Sequence, residues 1–102
     1  MPTNTQKLRV LRTRTDHDLL LVVNRELDRG FAFVEVATTR NSPLFAQAMK
    51  AHEVARVLLP RIAGLSDADR LRHESRVKEL KAKLEQVPLY ANVRSYGAAV
   101  AS

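Results

Sequence analysis

Along most of this chain the hydrophobic positions recur at intervals of three and four. From Asp16 onward, Leu20, Val23, Leu27, Phe31 and Val34 follow one another at that spacing, which marks one face of a helix. Leu19, Val22, Phe33 and Val36 widen the face, so a helix over about residues 16–38 is expected to be the most buried. Thr15 stands where its N-cap belongs, with Asp18 three residues later as a short capping box. Asp16 and Asp18 would then lie at the positive end of the helix dipole. Gly30 interrupts the helix at a cost of about 1 kcal/mol against alanine, which implies a kink or the close approach of a second helix.

A second helix is predicted from Pro43 to about Ala63. Ser42 caps it, and Pro43 takes the first helical position, where its missing N–H costs nothing. Leu44, Ala48, Ala51, Ala55, Leu58 and Ile62 form its stripe, whose alanine centre lets another helix come close. Pro60 clashes with the carbonyl of Arg56 and should bend the last turn. Gly64 fits a left-handed C-terminal cap. The third helix runs from Asp67 to Val87, capped by Ser66 and stopped by Pro88. Its apolar residues Val77, Leu80, Leu84 and Val87 make a narrow seam of the kind that pairs with a coiled-coil partner. The rest is charged, with Glu74–Lys78 and Glu79–Lys83 at the stabilising spacing of four.

The connections "TRNS" and "GLS" are short, and short loops make consecutive helices antiparallel neighbours. The expected fold is all-α: an antiparallel up-down-up three-helix bundle over residues 16–87. A basic N-terminal arm, read as flexible, covers 1–15, and a short C-terminal tail covers 88–102. The rival reading is α+β, with residues 19–36 as a β-hairpin, because "LLLVV" and "FAFVEV" are both β-prone. The intervening "NRELD" is helix-friendly and holds no hairpin turn pair, which favours the helix.

Composition narrows the functional classes. A chain of 102 residues is one domain with a modest core. It has no cysteine, which excludes disulfides, zinc–cysteine sites and thiol nucleophiles and fits a reducing, cytoplasmic setting. The longest apolar run, Leu19 to Val23, is far below the ~20 residues of a membrane span. Arginine outnumbers lysine twelve to five, the bias of a GC-rich bacterial genome.

The net charge of +6 is concentrated in the arm. Lys7, Arg9, Arg12 and Arg14 give residues 1–15 four positive charges and no acid, whereas twelve bases and eleven acids nearly cancel between Asp16 and Val87. Those four cations are the candidate phosphate contacts if the partner is a nucleic acid. The arm has no aromatic residue for base stacking.

Catalytic chemistry finds little support. Each histidine has an acidic neighbour, but adjacent helix residues point about 100° apart, and only Asp69–His73 has facing spacing. Two ligands do not make a tight metal site. Glycine-rich phosphate loops and nucleophile elbows are absent from a chain with three glycines. No catalytic residue, cofactor or metal is therefore expected. The expected function is protein–protein association, in the first place self-association, or a regulatory or adaptor role. Nucleic-acid association through the arm is the alternative. The residues expected in core or interface are Leu20, Val23, Leu27, Phe31, Leu44, Ala48, Ala55, Leu58, Val77, Leu80 and Leu84.

Overall fold

The computed structural model describes residues 4–89, with side chains from Arg14 onward; most of the C-terminal tail, 90–102, lies outside the described residues. It contains three α-helices: α1 (Asn4–Val36), α2 (Pro43–Leu58) and α3 (Asp67–Gln86). Among the described residues there is no strand, and residues 19–36 lie inside α1, so the hairpin alternative is overturned. The physical reason lies at Gly30. That residue is buried, and a Cβ built on it would meet Leu80 Cδ2 at 2.6 Å and Ala51 Cβ at 3.4 Å. A position read as a cost to the helix is one that both other helices approach closely.

The start of α1 differs from the sequence reading. The helix begins at Asn4, and Thr15 is a residue of its interior rather than its cap. Its first turn holds no acid, so Asp16 and Asp18 are not placed at the dipole's positive end. Residues 4–15 contain neither glycine nor proline and are rich in Gln, Lys, Leu and Arg, all good helix formers. An elongating helix adds one hydrogen bond per residue, and a cap signal worth about 1 kcal/mol does not stop it.

The other two starts follow local rules. Ser42 Oγ accepts from Leu44 N at 3.1 Å, with Pro43 as the first helical residue. Ser66 Oγ accepts from Asp69 N at 3.1 Å. Pro60 ends α2 earlier than drawn: the α-helix stops at Leu58, and Leu59–Arg61 form one 3-10 turn. Gly64 does not adopt the left-handed backbone expected of a cap. A Cβ there would lie 3.0 Å from Asp16 Oδ2, so that carboxylate would have to give by a few tenths of an ångström.

α1 and α2 form the principal packed pair, and α3 lies across both. The core comprises Val23, Leu27, Val34 and Ala37 from α1 and its exit, Phe45, Ala48, Ala51, Ala55, Leu59 and Ile62 from the second segment, and Leu80, Leu84 and Val87 from the third. α1 and α3 run parallel with a fixed offset of 48 residues. Arg76 Nη2 donates to Asp28 Oδ1 at 2.8 Å, and Lys83 Nζ to Glu35 Oε1 at 3.0 Å. The same offset places Asp16 beside Gly64.

Asp16 closes one end of the bundle. Its Oδ2 accepts from Gly64 N at 3.0 Å and its Oδ1 from Ala63 N at 3.3 Å, which satisfies two donors of the α2–α3 turn. Asp16→Ala is expected to cost about 1–2 kcal/mol, the worth of hydrogen bonds to a charged group near solvent. Amide exchange at Ala63 and Gly64 should speed up in that variant, and unchanged exchange there would refute the role.

Candidate interaction surfaces

Arginine side chains close the C-terminal ends of α3 and of the second segment. Arg40, in the α1–α2 loop, donates from Nε to the Val87 carbonyl at 2.9 Å and from Nη2 to the Glu85 carbonyl at 3.0 Å. Its backbone N–H reaches the Pro88 carbonyl at 2.9 Å. Arg70 does the same for the end of the second segment, with Nη1 on the Leu59 carbonyl at 3.4 Å and Nη2 on the Ile62 carbonyl. Cations suit these places, because the last carbonyls of a helix lack partners and carry its negative end. Nothing in the local sequence singles out Arg40 or Asp16, whose partners lie 45 or more residues away.

The residues expected in core or interface divide by depth. Val23, Leu27, Ala48, Ala55, Leu80 and Leu84 are buried, and Leu20, Phe31, Leu44, Leu58 and Val77 are half-buried against them. The α3 seam therefore turns inward: α1 and α2 of the same chain cover it, and it is not open to an outside coiled-coil partner. Of the arm cations, Arg14 is exposed, and Lys7, Arg9 and Arg12 lie outside the residues whose side chains are described.

Among the described residues no three His, Cys, Asp or Glu side chains gather as a metal site would require. His17 is exposed. The pair with facing spacing, Asp69 and His73, shares no hydrogen bond among the described residues; Asp69 Oδ1 instead pairs with Arg72 at 3.3 Å. His73 is half-buried, and its Nδ1 is enclosed without a hydrogen-bond partner among the described residues. Burial, seconded by the Arg76 guanidinium, holds its pKa below the ordinary 6.5, with Asp69 opposing the shift and Arg72 adding to it. His52 is lowered too, first by burial and then by Arg56 and Lys81, against the raising effect of Glu53.

Both shifts give stability a pH dependence of definite sign. The unfolded chain takes up protons near pH 6.5 that the folded chain resists. Stability is thus complete above that pH and falls as the pH is lowered through it. Urea midpoints are expected to drop between pH 7.5 and 5.5, and His73→Gln should flatten part of that slope. An identical slope in the variant would remove His73 from the account.

Two open surfaces stand out among the described residues. The first is a groove of about 700 Å³ between α2 and α3, with Phe45, Met49 and Leu84 as its apolar lining. Arg40, Lys50, Lys81, His52, Glu53 and Glu85 complete the lining. Arg40 stands 6.0 Å from the Phe45 ring centroid, and Arg56 Nε holds Glu53 at 3.0 Å. Met49 is half exposed there.

The second surface is the outer face of α1. Arg14, Asp18, Leu21, Arg25, Asp28, Ala32 and Val36 recur at intervals of three and four and are all exposed. Leu21 is 52% exposed and Val36 58%, with Val22 beside them at 37%. α1 is 33 residues long against 16 for α2 and 20 for α3. Since Asp16 lies at the α2–α3 turn, the twelve residues from Asn4 to Thr15 carry the helix ~18 Å beyond its two partners. No helix of the described residues is long and apolar enough to cross a membrane.

No family model, curated protein or solved structure matches this chain.

Proposed function

We propose that this protein is a non-catalytic helical module that works by associating with another protein chain, first of all a second copy of itself. The observation that carries the reading is the outer face of α1. A helix longer than both its neighbours presents Leu21, Val22 and Val36 to solvent along a side that no element of the described fold covers. Exposed leucine and valine aligned on one long helix form the kind of patch that association buries. Sedimentation over about 5–500 μM tests it, the range in which interfaces of modest area dissociate. The native chain should pass from monomer to dimer, and Leu21→Asp should remain helical and monomeric. A native chain monomeric throughout would end the self-association reading.

The alternative is a nucleic-acid-associated protein, favoured by one observation: four cations and no acid lie in the part of α1 at and beyond the bundle's end. Affinity built on phosphate neutralisation falls steeply with salt. Under this reading, deleting residues 1–14 abolishes salt-dependent binding to duplex DNA or RNA. Under the first, the native chain shows no such binding.

A further inference from the structure

The exposed charges of α1 are ordered, and their order is reversed about Leu21. Arg14 lies seven residues before Leu21 and Asp28 seven after. Asp18 lies three before and Arg25 four after. Arg14 and Asp28 thus stand at equal distances with opposite sign, and Asp18 and Arg25 do so to within one residue, or ~1.5 Å along the helix. In an antiparallel pair of identical helices crossing at Leu21, residues equally far from the crossing come level. Arg14 then comes level with Asp28 of the second copy, and Asp18 lies within ~1.5 Å of the level of Arg25, each pair occurring twice because a two-fold contact is self-complementary.

At 100° per residue, Asp18 and Arg25 fall on the same side of Leu21, so the two-fold rotation brings them to one flank of the contact. Arg14 and Asp28 each fall about 20° from the centre line, on opposite sides of it, so they face each other across the middle of the contact. Flanking charges of this kind set partner choice and direction in coiled coils.

The charges are available. Among the described residues, Arg14, Asp18 and Arg25 have no ion-pair partner within the chain. Asp28 gives one carboxylate oxygen to Arg76, but its side chain is 73% exposed, and a carboxylate accepts more than one donor. The whole helix has the same polarity. Residues 4–15 hold four bases and no acid, whereas residues 16–36 hold five acids and two arginines. A parallel pair would set the basic halves against each other. An antiparallel pair lays each basic half along an acidic one, and the midpoint of Asn4–Val36 falls at residue 20, beside Leu21.

We infer that two copies of this chain associate through α1 in antiparallel register, with Leu21 at the two-fold axis and Arg14 paired with Asp28 of the other copy. This rests on the self-association proposed above, and the test separates the two. Arg14→Glu and Asp28→Arg each place like charges opposite at two points, so each should raise the concentration of half-dimerisation at least about tenfold, or 1.4 kcal/mol. The double variant Arg14→Glu/Asp28→Arg restores both pairs and should dimerise like the native chain. An equimolar mixture of the two single variants should also dimerise. The new glutamate of one copy then meets the new arginine of the other, while the first copy's native Asp28 meets the second copy's native Arg14. All the substitutions are at exposed positions, and far-ultraviolet circular dichroism confirms the helices are kept. Native dimers that persist unchanged in both single variants would overturn the register while leaving self-association standing. Single variants that weaken the dimer with no recovery in the double or the mixture would also overturn it. A native chain monomeric at every concentration would end both.

Discussion

Leu80→Ala is expected to destabilise the protein by about 4 kcal/mol, near the upper end of the range for leucine truncation in a core. Leu80 is fully buried, and its Cδ2 fills the space that a side chain on Gly30 would take. Ala51 Cβ borders that space from α2, 3.4 Å from the same point. On the side of Gly30 and Ala51, a cavity made here meets no long side chain that could move into it. The cost therefore includes the void as well as the lost transfer energy. Domains of this size are stable by roughly 5–15 kcal/mol, so the loss is a large fraction of the total. Urea titration followed at 222 nm measures it, with an unchanged slope showing that the transition remains two-state. A loss below about 1 kcal/mol would mean that Leu80 is not the pivot of the three-helix contact.

Gly30→Val tests the same contact from the other side. Valine is a better helix residue than glycine by a few tenths of a kcal/mol, so propensity alone predicts stabilisation. The structure predicts the reverse. The first added carbon would lie 2.6 Å from Leu80 Cδ2, and two more methyl groups follow it into a closed site. Leu80 is enclosed on all sides and has little room to change rotamer. Overpacking of this kind costs about 1–3 kcal/mol and sometimes more, and a loss of about 3 kcal/mol is expected. The melting temperature should fall by about 12–24 °C at 4–8 °C per kcal/mol for a domain this small. The two sites are coupled. Gly30→Ala combined with Leu80→Ala should be more stable than the sum of the single losses by about 1–2 kcal/mol, since the new Cβ enters the new void. Strict additivity would show that Gly30 and Leu80 do not share one space.

Much of the architecture is legible without coordinates. Ser42–Pro43 and Ser66 start their helices where the sequence places them, and Pro60 and Pro88 end the helical runs before them. The stripes on α2 and α3 point into the core as their spacing requires. The reading of the first helix is less complete. "TDHD" has the form of a start signal, and the same form as "SDAD" opens α3 before Asp69. At Ser66 the preceding turn of Gly64 and Leu65 gives a start no rival. Before Thr15 lie the eleven residues from Asn4 to Arg14, most of which prefer to be helical, and the helix continues into them. Asp16, read as a dipole partner, instead holds the turn at Ala63 and Gly64. The seam Val77–Leu80–Leu84–Val87 was legible as a contact face, but not as one used inside the chain.

The amino-acid sequence by itself determined how many helices form, where α2 and α3 begin, and which side of each is apolar. These features depend on interactions among residues at most four apart, so their signals lie within a few consecutive letters. Only the tertiary structure decided the roles of Asp16, Arg40, Gly30 and the α3 seam. Each depends on a partner twenty or more residues away, for most of them beyond forty, and such a partner is fixed by how three packed helices share one core.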